Sequence, residues 1–133
     1  DGSGDGSGDG SGYGDGSGEY WRSVLGAYLR NLPMSIQART LALEKAGALL
    51  AFWRSTSDVR SYNGGDCQPV SPGRVHREKG PLRYECGTGQ LHATLIPTKW
   101  SGERWWIVAL IGERRGIDEK YWALEREVIG ECL

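Results

Sequence analysis

The sequence predicts an α+β fold: two N-terminal helices packed on a small, mainly antiparallel twisted sheet, preceded by an extended X-Gly repeat. Three observations predict it. Apolar residues recur at helical spacing twice before residue 47, a continuous apolar run at 104–111 indicates a central strand, and turn residues across 55–81 leave room only for short strands. We expect one α+β domain at residues 19–133, after a repeat at residues 1–18.

The first helix is predicted over residues 19–31, where apolar side chains follow the i, i+3, i+4, i+7 spacing of an amphipathic helix. These side chains are Trp21, Val24, Leu25, Tyr28 and Leu29. Pro33 is expected to end the helix, because proline lacks the backbone N–H that a helix interior requires.

The second helix is predicted over residues 36–46, with Ser35 as its N-cap and Gly47 closing it. Its inner face is expected to carry Ile36, Thr40 and Leu43, with Ala46 or Gly47 at the end. The apolar run at residues 48–53 then predicts a buried strand, although a continuing helix is the alternative.

Further strands are expected wherever short apolar or alternating runs lie between turn residues. They are residues 75–77, 82–86, 91–95 and, apolar on both faces and therefore central, 104–111. Residues 97–100 and 118–122 predict helical turns. Residues 124–132 alternate charged with apolar side chains and predict an edge strand.

The opening repeat has glycine at all nine even positions of residues 1–18. Alternation has the period of a strand, so an extended repeat would have one bare glycine face that a second backbone can approach closely. We interpret it as an assembly segment that packs with other copies, with Tyr13 as a partner-binding candidate; a flexible linker is the alternative. A cation such as calcium on its acidic face is a further alternative, with candidate ligands Asp1, Asp5, Asp9 and Asp15.

The charge balance argues against a nucleic-acid binder. The chain has 16 Lys and Arg against 17 Asp and Glu, and without the repeat's four aspartates it has a net charge of only about +3. Loop arginines beside aromatic residues could form a surface for single-stranded nucleic acid, but ordinary solvated loops explain them better. These arginines are Arg54, Arg60, Arg74, Arg77 and Arg83. No apolar run is long enough to span a bilayer, so no membrane partner is expected.

The three cysteines are odd in number and form no C-x-x-C pair, so we expect reduced thiols, with a single Cys67–Cys86 disulfide as the alternative. A zinc site would need Cys67, His76, Cys86 and His92, whose spacing lacks the paired knuckle typical of structural zinc. No metal or cofactor is therefore predicted. Cys86 is expected to be a small buried side chain, because no basic residue adjoins it closely in sequence to lower its pKa.

Aromatic side chains are the other candidates for functional residues. Trp105 and Trp106 are adjacent, so one indole lies on each sheet face and packing is expected for both. If one face is uncovered, these tryptophans and Trp53 become partner-binding anchors. His92 lies in an alternating strand, where a half-buried, hydrogen-bonded histidine is expected and a catalytic role is the alternative.

The last third of the chain carries a series of short motifs: C-x-x-G-x-x-H-A from Cys86, P-x-K-W from Pro97, E-R-W-W-I-V-A-L-x-G-E from Glu103 and R-E-V-I-x-E from Arg126. This pattern resembles an uncharacterised domain of bacteriophages and prophages that often follows repetitive N-terminal sequence. The resemblance implies a phage or prophage origin and no particular activity. It favours a non-enzymatic structural or assembly protein, a homo-oligomer or a partner of other virion proteins, located in the virion or the host cytoplasm.

A second resemblance suggests an alternative of another class. The strand–Gly–His–Ala–Thr–strand arrangement around His92 looks like part of an ADP-ribosyltransferase fold, in which a histidine lines the nicotinamide cleft. That resemblance would require a catalytic glutamate, for which Glu113 and Glu127 are the candidates because they lie at strand ends. A third hypothesis is a small partner-binding module with exposed tryptophans.

Overall fold

The computed structural model describes residues 18–56, 70–85, 89–100 and 102–132. The predicted assembly segment, except Gly18, lies outside these residues. The predicted α+β class is confirmed, because two helices are followed by antiparallel strands on which they pack. Neither described helix has the length and apolar content needed to cross a bilayer.

Helix α1 spans Gly18–Arg30 and helix α2 spans Met34–Lys45, close to the predicted bounds. Pro33, rather than Ser35, occupies the N-cap of α2, so that prediction was wrong. The reason is that proline in an extended conformation already starts the helix: its carbonyl accepts bonds from the N–H groups of Ile36 and Gln37, each at 3.0 Å. Gly47 closes α2 as predicted, with a positive φ of 94°.

Among the described residues five strands follow: β1 (Leu49–Ser55), β2 (Val75–Arg77), β3 (Leu91–Thr94), β4 (Arg104–Ile117) and β5 (Lys120–Glu131). A turn of 3₁₀ helix at Pro97–Lys99 confirms the helical turn predicted there. The predicted strand at 82–86 was wrong over its described part, since residues 82–85 form no strand.

Two predictions about the end of the chain were also wrong. Residues 118–122 form no helical turn, because Asp118, with a φ of 56°, and Glu119 make the tight turn between β4 and β5. The predicted edge strand is not at an edge, since β5 pairs with β2, β3 and β4. A long hairpin brings β5 into the middle of the sheet, where one side pairs with β4 and the other with two short strands.

The sheet closes into a small barrel. β1 pairs with β4 along its length, β4 pairs with β5, β5 pairs with β3, and β3 returns to β1 at Phe52 and Thr94. β2 continues along β5 beyond β3, and all these pairings are antiparallel. Closure satisfies backbone groups that open sheet edges would leave unpaired.

Closure divides the apolar strand residues between two cores, because side chains alternate across a strand. The first core is the barrel interior: Ala51, Trp53, Val70, Ala93, Trp106, Val108, Leu110, Ala123 and Val128. The second lies outside the barrel, where Phe52, Ile107 and Ile129 meet Trp21 of α1 and Leu43 of α2. The helices therefore cover one outer face of the barrel.

Candidate functional site

The barrel interior contains a buried arginine. Arg126 is 1% exposed, and its guanidinium lies 3.9 Å over the Trp53 ring. It donates to the His92 carbonyl at 2.9 Å and contacts Nδ1 of His76 through Nη2 at 2.9 Å and Nε at 3.3 Å. Burial lowers the Arg126 pKa to about 9, and the charge of Glu78 opposes that shift. The Arg126 guanidinium thus joins β2, β3 and β5 inside the barrel.

This contact bears on the zinc hypothesis. Arginine has no acceptor, so Nδ1 of His76 must accept the guanidinium hydrogen bonds. That nitrogen is therefore not available to bind a metal. A fixed positive charge beside it also opposes cation binding. Among the described residues there is no cluster of three or more His, Cys, Asp or Glu that could hold a metal. Cys67 and Cys86 lie outside those residues, as do the calcium candidates Asp1, Asp5, Asp9 and Asp15.

The structure does not bring the candidate catalytic residues to one cavity. His92 is buried on the face of β3 opposite Ala93, with its ring centroid 6.5 Å from that of Trp100, beside a cavity of about 10 Å³ that has room for one water molecule. Glu113 is exposed on β4 and lines a separate groove with Glu78 and Glu125. Glu127 lines a third cavity, which lies between β5 and α2. The ADP-ribosyltransferase hypothesis would need a glutamate beside His92, and neither candidate lies there.

The tryptophans are mostly core residues. Trp53 and Trp106 are 3% and 2% exposed in the barrel interior, so both are wrong as partner-binding anchors, and the expectation of packing is confirmed. Trp106 donates to the Ser55 hydroxyl at 2.9 Å. Trp105 is adjacent to Trp106 and therefore lies on the opposite, outer face of β4. Trp21 partly covers it, with ring centroids 5.9 Å apart. Tyr13 lies outside the described residues.

Arg54, one of the loop arginines, holds a loop in place. Its guanidinium lies 4.6 Å over the Trp105 ring and donates to the carbonyls of Trp100, at 2.6 Å, and Gly102. Gly102 has a φ of 144°, and a Cβ there would lie 2.6 Å from the Cβ of Arg54, so only glycine fits this close approach. Because these groups already use its hydrogen bonds, Arg54 is not presented to a phosphate backbone.

The clearest surface feature is the outer side of α2. Residues Met34, Ala38, Leu41 and Ala42, here called the outer stripe, follow helical spacing on the side opposite Ile36, Thr40 and Leu43. All four are exposed, Met34 at 77% and Leu41 at 53%. Sequence reasoning missed this stripe because it considered only one apolar face; the signal was a second set of apolar residues half a turn away at the same period.

A groove runs beside the outer stripe, between α2 and the end of α1. Its volume is about 460 Å³, and its apolar walls include Leu29, Met34, Ala38 and Leu41. Arg30 of α1 and Glu44 of α2, which have opposite charges, also line it. Neither charge has an ion-pair partner among the described residues.

The opposite edge of α2 is tied to the barrel. Arg39 donates to both carboxylate oxygens of Glu127, at 2.7 and 3.0 Å, in the bidentate geometry that is strongest for this pair. This hydrogen bond is the main cause that raises the Arg39 pKa. The ion pair holds α2 in one orientation, with the outer stripe directed away from the barrel.

The remaining cysteine with a described position is unreactive. Cys132 is a half-buried free thiol at the end of β5, and burial raises its pKa to about 12. Almost no thiolate forms at neutral pH, so nucleophilic or redox chemistry at this residue is disfavoured.

Comparison with known proteins found nothing similar: no family model, no curated protein and no solved structure matches this chain. The geometry of the described residues therefore carries the functional argument.

Proposed function

We propose that the protein is a non-enzymatic, phage-type structural or assembly protein. The folded domain contacts other proteins through the outer stripe of α2, and the N-terminal X-Gly repeat packs with other copies or with a larger particle. The virion or the host cytoplasm is the corresponding location.

The observation that carries this proposal is the apolar outer stripe. A surface helix normally has one apolar face toward the core and a polar face toward water, whereas a helix that is apolar on opposite sides is usually covered on both. α2 exposes Met34 and Leu41 beside an apolar groove. Leaving such a continuous apolar surface in water is unfavourable, and larger exposed patches usually mark interaction sites.

The polar groups of the described residues favour a structural role as well. Arg126 joins three strands, Arg39 joins α2 to β5, and Arg54 holds the loop before β4. These contacts position parts of the fold relative to one another. No specific observation favours the enzyme hypothesis, because His92, Glu113 and Glu127 line separate cavities.

The contribution of the repeat is tested by removing residues 1–17 and measuring the molar mass of both proteins by light scattering after size exclusion. We expect the intact chain to form assemblies that the deletion variant loses, because the bare glycine face is available only in the intact chain. A control variant replaces Asp1, Asp5, Asp9 and Asp15 with Ser and keeps the glycines. It should still assemble if glycine packing drives association, and should fail if the acidic face binds a cation. Identical monomers from the intact and deleted chains would contradict the proposal.

A further inference from the structure

We propose that His76 and Arg126 form a pH-sensitive latch, which holds β2 on the barrel at neutral pH and releases it in mild acid. The latch consists of two side chains in the barrel interior, one from β2 and one from β5, at positions that pair directly across the two strands. This inference concerns the folded domain alone and does not rest on the proposed assembly function.

The closed latch depends on a neutral histidine. Nε and Nη2 of Arg126 both approach Nδ1 of His76, at 3.3 and 2.9 Å, and Nη1 donates to the His92 carbonyl at 2.9 Å. Because a guanidinium has only donors, Nδ1 of His76 carries no proton and the single ring proton lies on Nε2. His76 is 0% exposed and Arg126 is 1% exposed, so water does not replace these hydrogen bonds while the barrel is closed.

Protonation of His76 opposes the closed arrangement. An imidazolium has no acceptor nitrogen, so both guanidinium hydrogen bonds to Nδ1 are lost and two positive charges face each other in the barrel interior. Arg126 keeps its charge, because burial lowers its pKa to about 9, which is still above neutral pH. A histidine ordinarily titrates near pH 6.5, so the open form takes up a proton in mild acid that the closed barrel resists.

The groups around the latch are mostly uncharged. β1 contributes the Trp53 ring, 3.9 Å from the guanidinium, and β3 contributes the His92 carbonyl. β4 contributes apolar side chains of the barrel interior. Glu78, which follows β2, is the carboxylate whose charge favours the charged form of Arg126. The charged neighbours of the latch residues along β2 and β5 project from the opposite face and form ion pairs of their own: Arg77, Glu125 and Glu127. The ionisable residues of 57–69 and Cys86 lie outside the described residues.

β2 is the element that opening of the latch releases. It has three residues and, within the described part of the chain, pairs only with β5. On either side of it, the amides of Gly73 and Glu78 donate to the carbonyls of Val128 and Leu124, at 2.8 and 2.9 Å. β5 also pairs with β4 over most of its length, so release of β2 leaves the hairpin of β4 and β5 in place.

The first experiment measures hydrogen exchange of single amides by NMR in the full chain, at about pH 7.5 and about pH 5.5, after correction for the intrinsic pH dependence of exchange. We expect protection of the Gly73 and Glu78 amides to fall about tenfold, because a proton bound only by the open form shifts the opening equilibrium tenfold per pH unit below about pH 6.5. The Cys132 amide, which donates to the Trp105 carbonyl, should keep its protection. No loss at Gly73 and Glu78, or an equal loss at Cys132, would overturn the proposal.

Two variants separate the latch from a merely structural contact. His76→Gln keeps an acceptor oxygen for Arg126 but has no titratable group, so protection around β2 should be the same at both pH values. His92→Gln is the matched control, because it changes the other histidine of the chain, and it should retain the pH-dependent loss. A loss that persists in His76→Gln, or one that disappears in His92→Gln, contradicts the latch.

The protonation state of His76 provides a direct measurement on the unchanged protein, which decides if either variant fails to fold by circular dichroism. Proton–nitrogen correlation spectra of the imidazole rings should show a single proton on Nε2 of His76 at the higher pH. At the lower pH, a doubly protonated His76 should appear only together with loss of protection around β2. A proton on Nδ1 at the higher pH, or a doubly protonated His76 with β2 still protected, would show that the latch does not exist.

Discussion

The two helices are similar in length and pack on the same face of the barrel, yet their surfaces differ. α1 buries one apolar stripe headed by Trp21, and its other side carries Glu19, Arg22, Ser23 and Arg30. α2 buries a smaller inner face around Leu43 and exposes the outer stripe. The apolar residues of α1 are thus mostly buried against the barrel, whereas α2 has apolar residues on a buried face and on an exposed face.

The two helices are also held in place by different forces. Trp21 makes edge-to-face contact with Phe52, with ring centroids 5.9 Å apart, and lies at the same distance from Trp105. α2 relies on Leu43 and on the ion pair of Arg39 with Glu127. The difference teaches that α1 is mainly a structural element, whereas α2 is oriented by charge so that its second face stays available.

The largest effect is expected from removing the aromatic anchor of α1. Trp21→Ala should lower the free energy of unfolding by about 3–5 kcal/mol, because truncating a buried tryptophan loses apolar burial and leaves a cavity. Leu41→Ala on the outer stripe should have a much smaller effect in a dilute monomer, since that side chain is 53% exposed and its truncation leaves no enclosed cavity. Urea unfolding at low protein concentration measures both. Equal losses in the two variants would refute the contrast between the helices.

A smaller effect is expected at the ion pair of α2. Arg39→Ala should destabilise the protein less than Trp21→Ala does, because Arg39 is itself largely exposed although Glu127 is left buried without its donor. Arg39→Lys should recover only part of the loss, since a lysine cannot reproduce the bidentate geometry. Arg22→Ala, at an exposed arginine of α1, is the matched control and should be neutral. Thermal unfolding of the variants in low and high salt provides the measurement; a loss in Arg22→Ala as large as in Arg39→Ala would argue against the tether.

The smallest effect is a pH dependence where the start of β4 meets the end of β5, and Arg104 donates to Glu131 at 2.6 Å. That hydrogen bond lowers the Glu131 pKa below its ordinary value of 4.5. The pair therefore stabilises the folded state above pH 4.5, and the contribution disappears as the pH falls through the lowered pKa of the folded state. The urea midpoint of the unchanged protein should exceed that of Glu131→Gln at pH 7, and the two should converge once the pH has fallen below the lowered pKa of Glu131 in the folded state. A difference that persists unchanged in acid would exclude this carboxylate as its source.

Much of the local structure follows from the sequence, because it depends on neighbouring residues. The spacing from Trp21 to Leu29 predicts α1, and Gly47 predicts the end of α2. The apolar run at 104–111 predicts the first half of β4. Each of these signals is a periodicity or a backbone preference that acts within one or two turns of chain.

The wrong predictions concern features that depend on contacts between segments far apart in the sequence. Residues 124–132 alternate like an edge strand, yet β5 lies between β4 and the short strands, and its Arg126 is buried. Alternation shows that a strand has two different faces but does not show which face meets water. A charged residue at an inward position looks identical, in one dimension, to a charged residue at a solvent position.

The candidate site was missed for a related reason. The residues of the outer stripe are visible in the sequence, but Met34 and Leu41 would be ordinary core residues if another part of the chain covered them. Trp53 and Trp106 were candidates for exposure and proved to be buried. Whether an apolar side chain is a core residue or a contact residue depends on what packs against it.

The sequence by itself determined the class of the fold, the two helices and most strands, since hydrophobic period and turn chemistry act between near neighbours. Only the tertiary structure decided that the strands close into a barrel, that Arg126 lies inside it, and that α2 has an exposed apolar face. Closure and burial depend on contacts between segments far apart in the chain, and no local pattern specifies those contacts.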